Sequence, residues 1–380
     1  MNSFFLSNMV DSKINNLIEL DGSYKEGGGS LVRVALALST LTGKPFKVTK
    51  IRAGRKQSGL KAQHLTSIQA LKEICGAKTN EIKLGSKELD YQPGKIKSGR
   101  YTFDIGTAGS LTLFLQALIL PCLFAPAKVT IIVKGGTCGK WQASVDYLQN
   151  ILLPHLARFV EKIELKILKR GYYPKGGGEV ELGISPRFKL KYFSNFETFL
   201  EEFPLKTRNI TLIEQGELEQ IRGVVNVSSD LADKEVGERI KMTIMNSLKS
   251  FEVPINVRVE YAKSLNPGGE VVVWGVFSQQ GKVDFDNPVM LAGDALVEKG
   301  KSSEDIGKEA ANELKKEIES GAAADKFLTD MIIPFMGLLP DSEIFASEIS
   351  NHTHTNIYVV EKFLNVGFKV EDRRVRVEKC

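Results

Sequence analysis

Acid is missing from one stretch of this 380-residue chain. Between Gly27 and Lys72 there is no Asp or Glu, while Arg33, Lys44, Lys47, Lys50, Arg52, Arg55, Lys56, Lys61 and Lys72 all fall inside it. Cysteine is also scarce: Cys75, Cys122, Cys138 and Cys380 lie far apart with no CxxC spacing. That excludes a disulfide framework and fits a reducing compartment, so a cytoplasmic protein is expected. Long apolar runs are lacking too. The longest, Leu111 to Ala127, is broken by Thr112, Gln116, Pro121 and Pro126; it reads as a buried helix ending at Pro121 and not as a membrane span. The patch Phe4 to Leu6 is too short and has no positive flank for a signal peptide. Cys380 in last place does not fit a prenylation box. The expectation is a soluble protein without a membrane partner.

What is present is ordinary globular material. With 42% hydrophobic and 26% charged residues, the chain can bury a sizeable core, and its length allows two domains. A net charge of +5 permits a polyanionic partner without requiring one. The acid-free window reads equally as a solvated basic face or as a groove for phosphates.

Helices and strands alternate along the chain. Leu31 to Leu41, Ala62 to Cys75, Leu111 to Leu120 and Val145 to Val160 carry helical spacing. Phe46 to Ile51, Tyr101 to Ile105 and Val129 to Lys134 read as strands, with Ile163 to Leu168 and Glu179 to Ile184 alternating like an antiparallel pair. Glycine clusters at 27–29, 135–136 and 176–178 suggest a repeated β–α unit. From Arg187 to Lys206 the chain turns charged and aromatic without a period. Asn209 to Gln280 then reads as a smaller unit: strand, Gly223 to Val227 strand, Asp230 to Leu248 helix, and strands at Ile255 to Tyr261 and Glu270 to Phe277. Ser303 to Ser320 and Lys326 to Leu339 return to helix. The expected architecture is α+β, with a discontinuous large domain at 1–186 and 284–380 and an inserted domain at 187–283.

Several places could carry chemistry. In Asp21-Gly22-Ser23-Tyr24-Lys25-Glu26-Gly27-Gly28-Gly29-Ser30, glycines let backbone N–H groups approach an anion at a helix start. The terminal Gly-Lys-Ser/Thr of a Walker loop is missing. Glu26 inside such a loop makes sense if it holds a divalent cation bridging to a phosphate. Arg52 and Arg55 put two guanidinium groups on one loop. Gln63 offers an amide at a helix start, and His64 reads best as a capping or packing residue. Gln116, in an apolar helix, must find partners or cost stability. Asp330 lies on the apolar helix of Phe327, Met331 and Phe335, and either faces solvent or meets a ligand. Ser350-Asn351-His352-Thr353-His354-Thr355-Asn356 holds two of the four histidines among side chains that hydrogen-bond an imidazole. On a strand, His352 and His354 would point the same way, yet nothing completes a zinc set around them.

Taken in order, these segments resemble the RNA 3′-terminal phosphate cyclases. The likeness runs from Asp21-Gly22-Ser23 and Glu26-Gly27-Gly28-Gly29, through Ile51-Arg52-Ala53-Gly54-Arg55, Gln63-His64-Leu65-Thr66 and Gly109-Ser110-Leu111. It continues through Gly135-Gly136-Thr137, Asp146-Tyr147 and Arg170-Gly171-Tyr172-Tyr173-Pro174-Lys175-Gly176-Gly177-Gly178-Glu179. It ends at His352, Thr355-Asn356-Ile357 and Val360-Glu361-Lys362-Phe363-Leu364. The resemblance implies a large domain of three βαβαββ units with a smaller inserted α/β domain. It implies a ligase that uses ATP, with Mg²⁺ or Mn²⁺, to turn the 3′-phosphate of RNA into a 2′,3′-cyclic phosphodiester. A covalent histidine–AMP and an RNA-adenylate would be its intermediates. By resemblance, His352 is the nucleophile and Glu26 the metal ligand. Gln116, Phe327 and Asp330 would bind the nucleotide, and Arg33, Arg52, Arg55 and Gln63 would hold phosphates of the RNA end or the nucleotide.

The chain departs from the family pattern in three places. Ser30 stands where Gln is usual after the glycines. Prolines that wall the adenine pocket are replaced around Lys140 to Ser144, where Trp141 or Ala143 is expected to take over. His354 stands where an apolar residue is common. The rival reading is the cyclase-like branch of ribosome assembly without activity, which loses the nucleophilic histidine and much of the arginine set. A plain RNA-binding scaffold is a second rival. Oligomeric state stays open, a homodimer among the options.

Overall fold

The computed structural model describes residues 17–25 and 27–379; Phe4 to Leu6, Glu26 and Cys380 lie outside them. Three sheets repeat one plan. In the first, β1 (Ile18–Asp21) runs parallel to β2 (Phe46–Thr49), which is antiparallel to β4 (Leu89–Gln92), itself flanked by β3 (Lys78–Thr79). Helix α1 (Ser30–Thr42) joins β1 to β2, and α2 (Ala62–Cys75) joins β2 to β3. The second sheet orders β5 (Gly99–Asp104), β6 (Val129–Gly135), β8 (Gly178–Pro186) and β7 (Val160–Lys169) in the same way. Its connections are α3 (Leu111–Cys122) and a helical stretch at 145–159. A parallel pair joined through a helix, closed by an antiparallel hairpin, is the βαβαββ unit twice over.

The third copy is split. Strand β9 (Thr211–Leu212) pairs parallel with β14 (Glu343–Phe345), and β14 is antiparallel to β16 (Arg374–Lys379), which pairs with β15 (Val366–Glu371). Between β9 and β14 the chain makes β10 (Glu217–Ser228), α4 (Val236–Leu248), β11 (Ile255–Ala262), β12 (Gly269–Ser278), β13 (Met290–Leu296) and α5 (Ser303–Glu319). Helix α6 (Lys326–Met336) leads back to β14, and α7 (Asn351–Phe363) joins β14 to β15.

Burial follows this division. One apolar core is shared by the three repeated units and takes in part of β10, β12 and β13 through Val224, Val272, Trp274 and Leu291. A second lies under β10 to β13, where Ile240, Ile244 and Leu248 of α4 meet Ile306, Ala310 and Leu314 of α5. That second core extends past the stretch 187–283 to Leu314, whereas β9 inside the stretch belongs to the third sheet. Buried Arg170 ties the parts together: it binds buried Asp146 at the start of the 145–159 stretch and Glu260 of β11, at 2.6 Å. Helix α1 packs on both α3 and α7, and α7 on α6, so helices of all three units converge.

Local differences from the sequence reading have physical causes. The helix at Leu111 runs one residue past Pro121, to Cys122. The expected helix at Asp230 breaks at Glu235, whose φ of 51° is left-handed, and α4 starts only after it. The three glycine clusters do not mark one position in each unit. They precede α1, end β6 and form the β7–β8 turn. Among the described residues, no helix is long and apolar enough to cross a membrane.

Candidate active site

The helices meet around a cavity lined by Ser30, Arg33, Gln116, Phe327, Asp330, His352 and Asn356, with Trp141, Gln142 and Ala143 also lining it. Its empty space, open mouth included, is about 830 Å³, within the range of small-ligand sites. Five of the residues singled out from the sequence meet here: Arg33 on α1, Gln116 on α3, Phe327 and Asp330 on α6, and His352 on α7. Arg52, Arg55 and Gln63 are not in its lining. Arg52 sits on the loop before α2 in a left-handed conformation and donates to the Gln57 carbonyl at 2.7 Å. Arg55 is exposed on the same loop, and Gln63 is half-buried in the first turn of α2. Glu26 lies outside the described residues.

The His352 segment is not a strand. It is the first turn of α7, and a helix turns 100° per residue, so His352 and His354 point to nearly opposite sides. Ser350 caps that turn, its Oγ accepting from the backbone N–H of His352 at 2.9 Å and of Thr353 at 3.1 Å. Thr353 closes the box by accepting from the Ser350 N–H at 3.2 Å. Asp330 then fixes the turn from outside: its Oδ1 accepts from Ser350 Oγ at 2.7 Å and Thr353 Oγ1 at 2.6 Å, while its carbonyl accepts from Asn356 Nδ2 at 2.6 Å. Burial raises the Asp330 pKa, and the hydrogen bonds from Thr353 and Ser350 together with the nearby His352 work against that rise. Asp330 therefore both lines the cavity and holds the nucleophile candidate's helix.

The remaining walls are fixed just as locally. Ser30 Oγ donates to Asn356 Oδ1 at 2.6 Å, fastening the start of α1 to α7. Arg33 Nε donates to Gln116 Oε1 at 3.3 Å, which gives the amide in an apolar helix its partner. The Phe327 ring meets Tyr147 edge-on at 5.6 Å, and Tyr147 donates to buried Asp325 at 2.5 Å. Asp325 caps α6 by accepting from the N–H groups of Phe327 and Leu328. Trp141 is 94% exposed at the rim, with a left-handed φ of 60°. Sequence reasoning missed Ser30 as a tie between helices and Thr353 as a cap. The Ser350-x-x-Thr353 spacing was the available signal for the second.

His64 does cap α2: its Nδ1 accepts from the backbone N–H of Lys61 at 3.0 Å. No group of three or more His, Cys, Asp or Glu side chains placed to hold a metal ion occurs among the described residues. They do not make a metal cage by themselves.

Comparison with known proteins accords with this geometry. Residues 24–370 match the family model for RNA 3′-terminal phosphate cyclase. A Pyrococcus furiosus protein named RNA 3′-terminal phosphate cyclase is 40% identical over 355 residues, covering 93% of this chain and 95% of the relative. Its namesake in Methanopyrus kandleri is 36% identical, with 94% and 96% covered. That of Methanosarcina mazei is also 36% identical, with 94% and 97% covered.

Proposed function

The chain belongs to the RNA 3′-terminal phosphate cyclase family, and from that premise we propose that it converts an RNA 3′-phosphate to a 2′,3′-cyclic phosphodiester at the expense of ATP. The observation that carries the reading is the convergence of Arg33, Gln116, Phe327, Asp330 and His352 on one cavity, from three repeated units far apart in sequence.

Three displacements at phosphorus make up the reaction. A ring nitrogen of His352 attacks the α-phosphorus of ATP; a P–N bond forms, the bond to the bridging oxygen breaks, and pyrophosphate leaves. An oxygen of the RNA 3′-phosphate then attacks the same phosphorus, the P–N bond breaks, and AMP passes to the RNA. Finally the neighbouring 2′-hydroxyl oxygen attacks the 3′-phosphorus, loses its proton and expels AMP. Holding that hydroxyl beside an activated phosphate supplies most of what the last step needs. Splitting one condensation this way gives each step a good leaving group.

In this reading the Phe327 ring offers a face to the adenine, with Trp141 or Ala143 opposite it, and Asp330 contacts the adenosine. Arg33 and Gln116 meet the nucleotide phosphates, while Arg52 and Arg55 on the basic loop and Gln63 at the start of α2 serve phosphates of the RNA end or the nucleotide. A divalent cation, Mg²⁺ or Mn²⁺, held by Glu26 would neutralise phosphate charge. A cytoplasmic location suits Cys75, Cys122 and Cys138, which are buried free thiols.

The test is to incubate the protein with α-labelled ATP and then with 3′-phosphorylated RNA. We expect an acid-labile, alkali-stable protein–AMP adduct that is discharged by the RNA as a cyclic end forms. No adduct with either metal would favour a binding scaffold instead.

A further inference from the structure

Two features of Trp141 exceed what a wall of the nucleotide cavity requires. No other large apolar side chain among the described residues is as exposed. Its left-handed φ is one that bulky residues rarely adopt, and strained backbone of this kind concentrates at ligand sites. Ala143, by contrast, is buried in the lining of that cavity.

A second crevice shares Trp141 and Gln142 with the His352 cavity. It runs between loops of the second unit, at 138–142 and 172–173, and loops of the β10–β13 layer, at 267–269 and 296–299. Its empty space, open mouth included, is about 1320 Å³. The walls are pinned without use of the exposed rings. Buried Tyr172 donates to Asn226 Oδ1 at 3.0 Å, and Gly268 packs so closely on it that an added Cβ would lie 2.6 Å from Tyr172 Cβ. Asn266 Nδ2 donates to the Tyr173 carbonyl at 2.7 Å, which holds that backbone while the ring stays 81% exposed. Lys140 meets Glu298 across the crevice at 2.8 Å, and Lys299 leaves the lining with a net positive charge.

Cyclisation brings the RNA 3′-phosphate to the His352 cavity, and the base of the same nucleotide is tethered to it. That base therefore lies at the rim. Stacking on aromatic rings in a positive groove holds single strands whatever their sequence. We propose that this crevice receives the 3′-terminal nucleobase of the RNA, stacked on Trp141 and Tyr173, while Ala143 stays against the adenine of ATP. The proposal rests on the cyclase reading.

Fluorescence tests it without turnover. Trp141 and Trp274 are the only tryptophans of the chain, and Trp274 is buried, so quenching by a ligand reports on Trp141, with Trp141→Phe as the blank. The probes are a short oligoribonucleotide ending in 3′-phosphate, the same oligomer without its terminal base, and ATP alone. The intact oligomer should quench and bind about tenfold more tightly than the abasic one, the scale of one stacked base. Tyr173→Ala should close most of that gap and Tyr173→Phe should restore it; both sites are exposed, so the variants fold. In turnover, Tyr173→Ala should raise the KM for RNA about tenfold, with the rate of AMP labelling by ATP alone as the measure of an intact nucleotide cavity. Equal binding of the intact and abasic oligomers would overturn the proposal. So would quenching by ATP alone, which returns Trp141 to the adenine, or a fall in labelling as large as the fall in RNA binding. Failure of the cyclase reading looks different, because the parent protein would then form no AMP adduct.

Discussion

Two histidines begin equivalent helices in two copies of the same unit, and they live in opposite surroundings. His64 starts α2 of the first unit, sealed from solvent, and caps the helix with its own ring. His352 starts α7 of the third unit, half-buried at a cavity, where Ser350 does the capping and Asp330 braces the turn. In the second unit the corresponding turn is capped by Ser144 and carries Asp146, buried in an ion pair with Arg170. One backbone plan thus yields a packed imidazole, a structural carboxylate and a reactive candidate. With the cap delegated to a serine, His352 lines the cavity instead.

The sharpest break of that contrast is to remove each ring. His352→Ala should abolish AMP labelling and cyclisation outright, whereas His354→Ala, on the far side of the same helix, should still label; loss of labelling with the His354 change alone would put the nucleophile in the wrong register. Next in size is the brace. Asp330→Ala should slow adduct formation by about two orders of magnitude, the scale on which misplacing a reacting group acts, measured as the single-turnover labelling rate. A rate like the parent's would leave Asp330 no part in holding α7. Ser350→Ala should cost about 1 kcal/mol of stability through the lost N-cap, read from denaturant unfolding, with a smaller fall in labelling rate.

A pH effect separates His64 from its counterpart. The folded-state pKa of His64 lies near 3, below the ordinary 6.5, so below pH 6.5 the unfolded chain binds a proton that the folded one refuses. Stability from this group is complete above pH 6.5 and declines as pH falls toward 3, by up to about 1.4 kcal/mol per pH unit. His155, buried with the same direction of shift, adds a second such slope. His64→Asn should remove one of the two, and subtracting the variant's curve from the parent's cancels every other titrating group. Parallel curves would mean that His64 is accessible to protons.

Much of this was legible in the chain. The helix Ala62 to Cys75 was readable to the residue, because its apolar spacing ends at Gly76, which takes the left-handed C-cap. The five cavity residues were legible only as members of a motif series; nothing local in Gln116 or Asp330 says that they line one cavity. The seven polar residues around His352 carry no period that tells helix from strand, and only the Ser350 to Thr353 spacing marks a helix start. The split third unit was hidden for another reason. Its first strand is two residues long, Thr211–Leu212, and its partner follows at Glu343. No composition or periodicity signals a pairing so short across so long a gap.

The central claim is that His352, and not its neighbours, carries the adenylate. Digesting the labelled protein under alkaline conditions and locating the AMP mass by fragmentation of the peptide around Asn351 to Phe363 tests it directly. The account predicts AMP on His352; AMP on His354, His64 or any lysine would contradict it.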